Sequence, residues 1–452
     1  MKLLVFVRRR IAPGFLRLAR DLAPDAEIVP ISDERGVAGA PWWGCSSLLS
    51  EKVPNFDFSC EIDDIIARCR FLRYKERTQA KDLVTQAFRR WISILSKHAI
   101  DRVLCLPIDS YVLHTLVLAA KELGVPAYSI VGTPFSKRMR FTKFGELCGK
   151  QEIDKNSLDE IDSLFRGFTE GGVTPDWLIG VDSSSGRVAA RRLFIDSIKP
   201  FAFTAYRALT RDTNSFSFPP RRLLSHRMYA TPSNFSAAIK LEKKQTRELP
   251  EQFGFLPLQF YPESTSDYWI PEAEIRDHHR TVLATVKALS KEMPIVVKEH
   301  PAAFGRRNAQ FLEQLVEVPN VKIAPLNASV HALITRSTYI LGQGSTTTLQ
   351  ASLCGKSVLF FGTPFFGTGP QDVSISSLSL EHIREKFSDM MRTEISPESC
   401  ERSARERLTK FYMSSAPGSQ GSYSPFLERA KVRGAPAFAS SQLCALFHSL
   451  AL

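Results

Sequence analysis

Short runs of aliphatic residues alternate with longer amphipathic stretches over the first 150 positions of the chain. This alternation is typical of βαβ units, in which helices connect parallel strands. It predicts strands at 2–7, 27–31, 102–106 and 127–131, and helices at 78–98 and 112–123. We therefore expect a first parallel α/β domain over 1–150.

The pattern weakens over 151–250. This stretch contains acidic and Ser/Asn-rich runs, a basic stretch near 187–207, and the sequence Pro219-Pro220. The basic stretch has a helical pattern. We interpret 151–250 as a linker with a helical insertion.

The alternation returns from residue 255 and is clearer than before. It predicts strands at 255–260, 295–298, 321–324, 339–341 and 357–361, joined by helices at 272–291, 308–316, 329–336 and 346–353. This content is that of one complete doubly wound, Rossmann-like domain over 251–373, followed by a helical tail over 374–452. With a similar domain over 1–150, the two sheets would face a cleft at the carboxyl ends of their strands, where ligands bind in such folds.

The composition is that of a globular protein. Hydrophobic residues make up 44% of the 452 residues and charged residues 23%, which argues against a disordered or fibrous chain. No apolar run approaches the roughly 20 residues that a membrane-spanning helix needs. The run at 2–7 is too short for a signal sequence, and the eight cysteines are scattered without a Cys-x-x-Cys pair. We expect a cytoplasmic protein with reduced cysteines.

The formal net charge of +12 predicts an acidic partner. Nucleic acid, anionic lipid, and a phosphorylated or carboxylated substrate all meet this requirement. The basic clusters are spread along the chain, at 8–10, 137–140, 191–192 and 221–222. Because they form no recognised nucleic-acid motif, we do not expect nucleic acid as the partner. The inner face of the cytoplasmic membrane is a candidate anionic surface for peripheral binding.

The strand predicted at 295–298 ends in Lys298, Glu299, His300 and Pro301. Pro301 fixes the turn and disfavours helical geometry at His300, which holds the imidazole near the edge of the sheet. Lys298 and His300 could both donate hydrogen bonds to phosphate oxygens. The alternative is a histidine that only satisfies a loop carbonyl.

The strand at 339–341 runs into Gly344, Ser345 and Thr346 at the start of a helix. Free N–H groups at a helix start bind anions well. The segment is neither a P-loop nor a dinucleotide fingerprint, because no Gly-Lys-Ser/Thr follows and Thr347 occupies the position of the third glycine. The alternative is an ordinary glycine turn with a serine N-cap.

Two further loops carry candidate groups. Gln259 lies near the end of the strand at 255–260, and Glu263 follows that strand; a carboxylate there could act as base, nucleophile or electrostatic partner of a developing cation. The alternatives for Glu263 are a solvated loop residue or a helix cap. Phe365 and Asp372 lie in a Gly/Pro/aromatic loop that could stack on a base or sugar, or could simply pack in the core.

Four motifs occur in a characteristic order. They are Pro-Leu-Gln with a following Glu, Lys-x-His-Pro, Gly-Ser before a helix, and Gly-x-Pro-Phe-Phe-Gly-x-Gly with a following Asp. This order resembles the C-terminal half of bacterial capsule polysaccharide biosynthesis proteins, and the segment 127–145 resembles their N-terminal domain more loosely. That superfamily includes the Kdo transferases, and it has the GT-B fold of two Rossmann-like domains facing a cleft.

The resemblance implies site residues as well as a fold. It implies that Lys298 and His300 contact the nucleotide phosphate, that Ser345 and Thr346 bind phosphate or ribose, and that Glu263 is the catalytic carboxylate. We also expect Pro301 and Gly344 among the nucleotide-binding residues, and His300 to be catalytic as well as phosphate-binding. The family usually has Asp at the position of Glu263, and its aromatic loop reads Tyr-Ala-Gly-Trp-Gly where this chain has Phe366-Gly367-Thr368-Gly369.

We expect no metal or other cofactor. The sequence contains no Asp-x-Asp pair of the kind that holds a divalent ion in glycosyltransferases of the other common fold, and His278 and His279 are adjacent on a predicted helix and point in different directions. A site without metal must stabilise the leaving nucleotide with helix dipoles, lysine and histidine.

The sequence therefore predicts a metal-independent GT-B glycosyltransferase. It would move a sugar, with Kdo from CMP-Kdo as one candidate, from a nucleotide donor to a surface polysaccharide or lipid-linked acceptor. The alternatives are a nucleotide-sugar epimerase, a polyol-phosphate transferase of the same fold, and a non-catalytic basic binding protein.

Overall fold

The computed structural model describes residues 1–9, 11–48, 61–135, 137–171, 186–212, 215–220, 229–246, 248–419 and 438–450. Arg10, Arg221 and Arg222, which belong to the basic clusters of the sequence, lie outside these residues.

The first domain is built on a seven-stranded sheet with the order β13-β12-β5-β4-β3-β1-β2. Its strands are β1 (Lys2–Phe6), β2 (Glu27–Ile31), β3 (Arg102–Cys105), β4 (Ala127–Gly132), β5 (Arg138–Thr142), β12 (Ser415–Ser419) and β13 (Phe438–Ala439). The four strands predicted from the aliphatic runs pair in parallel, and the strands from β5 onward add to that sheet antiparallel.

The second domain contains a six-stranded parallel sheet with the order β11-β10-β9-β6-β7-β8. Its strands are β6 (Gly254–Pro257), β7 (Ile295–Lys298), β8 (Val321–Ile323), β9 (Tyr339–Gly342), β10 (Val358–Phe361) and β11 (Val373–Ile375). All five predicted strands are present, although β6 ends three residues earlier than expected because the chain turns into a loop at 258–263. The pattern did not predict β11, a strand of only three residues.

Helices cover both faces of the second sheet. Side chains of β7 alternate between two apolar clusters, with Val296 in one and Ile295 and Val297 in the other. A parallel sheet with both faces covered explains why these strands read as continuous apolar runs. The two sheets confirm the predicted fold class of two Rossmann-like domains.

Fifteen helices lie in the described chain. They are α1 (Ala12–Leu22), α2 (Ile62–Arg68), α3 (Arg77–Lys97), α4 (Tyr111–Glu122), α5 (Lys155–Arg166), α6 (Gly186–Thr210), α7 (Pro232–Lys243), α8 (Ser264–Asp267), α9 (His278–Leu289), α10 (Ala309–Glu317), α11 (Val330–Arg336), α12 (Thr346–Leu353), α13 (Leu380–Arg392), α14 (Pro397–Met413) and α15 (Ser441–Ser449).

The helix predicted at 272–291 begins six residues late. Residues Ala273–Ile275 form a single 3-10 turn, and the regular helix α9 starts at His278 with Asp277 as its N-cap. The Asp277 carboxylate accepts a hydrogen bond from the backbone N–H of Arg280 at 3.2 Å. None of the helices in the described part of the chain is long and apolar enough to cross a membrane.

The chain returns to the first domain after α14. There β12 pairs antiparallel with β5, and α15 packs on the same sheet, with the Phe447 ring 5.3 Å from that of Phe141. The sequence of β12, Ser-Ala-Pro-Gly-Ser, contains no β-branched or aromatic residue. The pattern of hydrophobic residues therefore gave no sign of this strand, and only a helical and then irregular segment was expected.

Candidate active site between the two domains

A cavity of about 310 Å³ lies between the two domains, beyond the carboxyl ends of β6, β7 and β9. Seven residues singled out in the sequence line it, namely Gln259, Glu263, His300, Gly344, Ser345, Thr346 and Phe365. The first domain contributes Gly132, Pro134 and Arg140 to the opposite wall. The cavity is therefore the place where sequence-predicted groups of the second domain meet groups of the first.

Glu263 follows the loop after β6 and forms the N-cap of the short helix α8. Its side chain makes no capping hydrogen bond, and its Oε2 instead accepts a hydrogen bond from the Thr265 hydroxyl at 3.0 Å. Glu263 is exposed at the cavity, where the surrounding walls replace part of the bulk water near its carboxyl. Removal of bulk water raises the pKa of the Glu263 carboxyl, and the Thr265 hydrogen bond and the nearby Arg70 oppose that shift. A carboxyl with a raised pKa suits proton transfer near neutral pH.

His300 lies at the end of β7 with its imidazole half-buried. Its Nδ1 accepts a hydrogen bond from the Ala302 backbone N–H at 3.1 Å. In the neutral ring the proton must then be on Nε2, which makes that atom a donor. Nδ1 thus binds a loop N–H rather than the loop carbonyl of the alternative interpretation, and Nε2 has the donor character that the predicted phosphate contact requires.

A buried ion pair supports the backbone at His300. The Glu299 carboxylate accepts two hydrogen bonds from the Arg307 guanidinium, both at 2.7 Å, and a third from the His300 backbone N–H at 2.6 Å. Arg307 also donates to the Gln259 carbonyl oxygen at 2.7 Å. This network ties the loop after β7 to the loop after β6, so the positions of His300 and Gln259 are coupled.

The start of α12 faces the cavity. Ser345 is its N-cap: the Ser345 hydroxyl accepts a hydrogen bond from the Thr348 N–H at 3.2 Å, and the Ser345 N–H donates to the Thr348 hydroxyl at 2.9 Å. The Ser345 hydroxyl is thus used in capping, as the alternative interpretation expected. The backbone N–H groups of Thr346 and Thr347 remain available to an anion, since both residues line the cavity.

Arg140 closes the cavity from the first domain. It is 1% exposed, and its guanidinium lies 5.2–5.9 Å from the ring centres of Trp269, Phe365 and Phe411. Its Nη1 donates to the Glu146 carbonyl oxygen at 2.8 Å, and no carboxylate of the described residues forms an ion pair with it. Burial lowers the pKa of Arg140 to about 10, so the group remains charged at neutral pH.

Two other polar atoms in the wall lack partners. Within the part of the chain that the structure describes, the buried Trp269 Nε1 has no hydrogen-bond acceptor and the buried Gln259 Oε1 has no donor. Both residues line the cavity. Buried polar groups are nearly always hydrogen-bonded. The Trp269 N–H and the Arg140 cation favour an anionic group of a ligand at this site, whereas the Gln259 oxygen favours a hydrogen-bond donor such as a hydroxyl.

Three sequence-predicted residues do not line the cavity. Lys298 is 4% exposed and lies in β7, where burial lowers the pKa of its ammonium. Pro301 opens the single 3-10 turn that follows His300. Asp372 accepts hydrogen bonds from the Ser352 hydroxyl and, at 2.6 Å, from the Gly369 N–H, and burial raises its pKa to about 6.

The position of Asp372 explains its role. It anchors the loop 362–372, which carries Phe365 into the cavity wall, where the Phe365 ring meets Trp269 edge-on at 4.8 Å between ring centres. Gly344 allows that loop to approach the start of α12, since a Cβ on Gly344 would lie 3.2 Å from the Pro364 Cβ. His278 and His279 lie outside the cavity, and no group of three or more His, Cys, Asp or Glu side chains in the described residues could hold a metal ion.

The sequence patterns did not single out Arg140 and Trp269 as residues of the cavity wall. Arg140 alternates with Met139 and Phe141 in a strand that is buried throughout. An arginine at a buried strand position is itself a signal, because a charge is rarely buried without a partner.

A comparison of sequences finds one protein family whose model matches part of the chain. Residues 195–370 match the model of the capsule polysaccharide biosynthesis protein family. The match includes Glu263, His300, Ser345 and Phe365, and it confirms the predicted resemblance to these capsule proteins for that segment. Arg140 and Asp372 lie outside it. Among curated proteins, no sequence matches the chain significantly.

Several solved structures are distantly similar to the chain. One is the β-Kdo 2,7 transferase KpsC of Thermosulfurimonas dismutans, with 10% identity, 93% of each chain covered and a TM-score of 0.37. Another is the β-Kdo 2,4 transferase KpsC of the same organism, with 14% identity, 70% of this chain and 79% of that chain covered, and a TM-score of 0.32. A third is the UDP-GlcNAc 2-epimerase from Neisseria meningitidis, with 13% identity, 95% and 98% covered, and a TM-score of 0.28.

Proposed function

We propose that this protein is a glycosyltransferase of capsule polysaccharide biosynthesis, which transfers a sugar from a nucleotide donor to a glycan or lipid-linked acceptor. One observation carries the proposal. A single cavity contains a carboxyl group with a raised pKa, a histidine Nε2, the start of a helix and an unpaired buried arginine. The capsule family match over 195–370 supports the same conclusion.

Glu263 is the base in this mechanism. Its carboxylate takes the proton of the acceptor hydroxyl, the acceptor oxygen forms a bond to the anomeric carbon, and the bond from that carbon to the nucleotide phosphate oxygen breaks. The leaving phosphate keeps the electron pair of the broken bond. A base is most effective when its pKa lies near the working pH, and the partial loss of water around the Glu263 carboxyl moves its pKa in that direction.

The leaving phosphate is stabilised from two sides. The N–H groups at the start of α12 and the His300 Nε2 donate from the second domain, and Arg140 supplies a positive charge from the first. Donors fixed before the reaction stabilise developing charge without having to reorganise. Because Arg140 belongs to the opposite domain, the complete phosphate site exists only when both domains are in contact.

Measurements of nucleotide binding and of sugar transfer would identify the donor. We would measure binding of CMP, UDP and CDP to the purified protein by calorimetry, then test transfer from the sugar nucleotide of the preferred base, beginning with CMP-Kdo if CMP is preferred. Tight binding of one nucleotide, weakened in His300→Ala, and transfer of its sugar support the proposal. Epimerisation of the sugar without an acceptor assigns the site to an epimerase instead, and failure of all three nucleotides to bind contradicts the proposal.

A further inference from the structure

Helix α6 presents an apolar stripe to solvent. Phe194, Ile198, Phe201 and Leu209 are 67%, 49%, 73% and 86% exposed, and the exposed Ala205 lies between the last two. Their spacing of three and four residues places all five on one side of the helix. Single exposed apolar residues are ordinary, but a continuous stripe along several helical turns marks an interaction surface.

The opposite side of α6 fixes the helix to both domains. The buried Asp196 accepts a hydrogen bond from the Ala230 N–H at 2.8 Å and forms an ion pair with Arg306, after β7, at 3.2 Å. Tyr206 accepts a hydrogen bond at 2.9 Å from the N–H of Arg35 in the first domain. With these contacts on one side, the apolar stripe on the other side is held outward.

The charge of α6 favours an anionic partner. The helix contains five basic residues and a single acidic one, Asp196, whose side chain is fully buried in its ion pairs with Lys199 and Arg306. Arg191 is exposed, and its position in the helix places it on the same side as the stripe. A second copy of the chain would bring the same cations to the interface, whereas an anionic lipid surface would neutralise them.

We propose that α6 is an interfacial helix that docks the protein on an anionic membrane surface, with the apolar stripe inserted among the lipids and its cations at the level of the headgroups. Helices of this composition lie in the plane of the membrane, and they combine burial of apolar side chains with attraction to anionic lipid. The inference goes beyond sugar transfer and does not depend on it. It holds the protein at a surface where lipid-linked molecules are available.

The test is sedimentation with vesicles of phosphatidylcholine, with and without phosphatidylglycerol. We expect the full-length protein to bind only the vesicles that contain phosphatidylglycerol, and binding to fall as salt screens the charges over a distance of about 8 Å. Replacing Phe194 and Phe201 together by Ser should weaken binding at least about tenfold, because burial of each phenylalanine is lost. The matched control replaces Leu158 and Leu380, which are 51% and 53% exposed elsewhere, by Ser and should bind normally.

Further measurements keep the result unambiguous. Thermal unfolding of the Phe194/Phe201 variant should match that of the wild type, since both side chains are exposed, and its nucleotide binding should be unchanged. Membrane docking therefore fails or succeeds independently of the proposed transfer reaction. The proposal is overturned if the wild type does not bind anionic vesicles, or if the variant binds them equally well. It is also overturned if the wild type fails to bind vesicles and instead forms a dimer that the variant does not form.

Discussion

Arg140 carries a positive charge in a place where the described protein gives it one carbonyl oxygen, three aromatic rings and no carboxylate. Burying a charge without a counter-ion costs stability, so such a residue is retained when a ligand supplies the missing charge. In the proposed phosphate site, the stability cost of the buried charge and the affinity for an anion therefore have the same origin.

Replacing Arg140 by Met tests this directly. Met fills similar space without a charge, so we expect the melting temperature to stay the same or rise while nucleotide affinity falls about tenfold or more. Arg138→Met is the matched control, because Arg138 lies two residues earlier in β5 and bonds to Ser415 and Tyr412 rather than facing the cavity. Unchanged affinity in Arg140→Met would show that no anion binds at that wall.

Glu263→Gln keeps the shape of the side chain and removes the base. We expect turnover to fall roughly 100-fold or more, with nucleotide binding nearly intact. A carboxylate base must be deprotonated, so wild-type activity should rise with pH through the raised pKa of Glu263. If the Glu263→Gln variant retained near-wild-type turnover, Glu263 would have no part in the reaction.

Thr265→Val provides a second readout for the same group. The Thr265 hydroxyl donates to Glu263 and stabilises its charged form, which lowers the pKa. Without that hydrogen bond the pKa should rise further, and the acidic limb of the activity profile should shift to higher pH. A profile that does not move indicates that another group controls the acidic limb.

At the scale of single residues, the sequence analysis predicted most of the cavity wall that the second domain provides. Glu263, His300 and the Ser345 turn lie in the loops that follow strands, and parallel strands carry their carboxyl ends to one edge of a sheet. Arg140 could not be found in this way, since it lies inside a strand. Asp372 was assigned to the site because it follows a loop, but its hydrogen bonds show that it holds the loop together.

Among the elements, α12 connects the fold most directly to the chemistry. Thr346 is its first helical residue, and proline is well tolerated there because the N–H it removes has no partner within the helix. Ser345 has φ −129° and ψ 169°, an extended geometry that permits a following proline. The position therefore allows one N–H to be removed from the cavity without breaking the helix.

We expect Thr346→Pro to unfold at the wild-type temperature and to bind nucleotide about tenfold more weakly, the loss of one hydrogen bond to a charged group. Leu380→Pro is the control, since it places proline at the first residue of α13 after Ser379, which has φ −63° and ψ 140°. Equal affinity in wild type and Thr346→Pro would remove the start of α12 from the phosphate site.

The pattern of hydrophobic residues predicted the elements that bury whole runs of apolar side chains. β7 and β10 are buried along their full length, and both were predicted almost to the residue. The pattern did not predict β12, because its side chains are small and its pairing with β5 rests on backbone hydrogen bonds between segments far apart in the chain. Hydrophobic periodicity and β-strand propensity are local properties of a segment, and they carry no information about a distant pairing partner.

At the scale of the whole molecule, α15 belongs to the first domain although it follows the second. Phe447 is fully buried against Phe141, and its carbonyl oxygen accepts a hydrogen bond from Arg102 at the start of β3. The integrity of the first sheet therefore depends on a residue more than three hundred positions away in the chain.

Phe447→Ala should destabilise the first domain by about 3–5 kcal/mol, the usual cost of removing a buried phenylalanine ring. Hydrogen exchange should accelerate in β4 and β5 more than in β6 and β7. Phe438→Ala is the control, because Phe438 is 36% exposed, and it should leave exchange nearly unchanged. Exchange that increases only within α15 would show that the helix is a detachable appendage.

The return of the chain has a consequence for protein synthesis. A ribosome produces β1 to β5 first, but the partner strand β12 and the covering helix α15 leave the exit tunnel only after the entire second domain. The nascent first sheet therefore waits with the edge at β5 unpaired, and an unpaired edge is a site of wrong association. The second domain, whose six strands are contiguous in the chain, can close during that interval. Translation thus imposes an order on assembly in which the domain made first is the domain completed last.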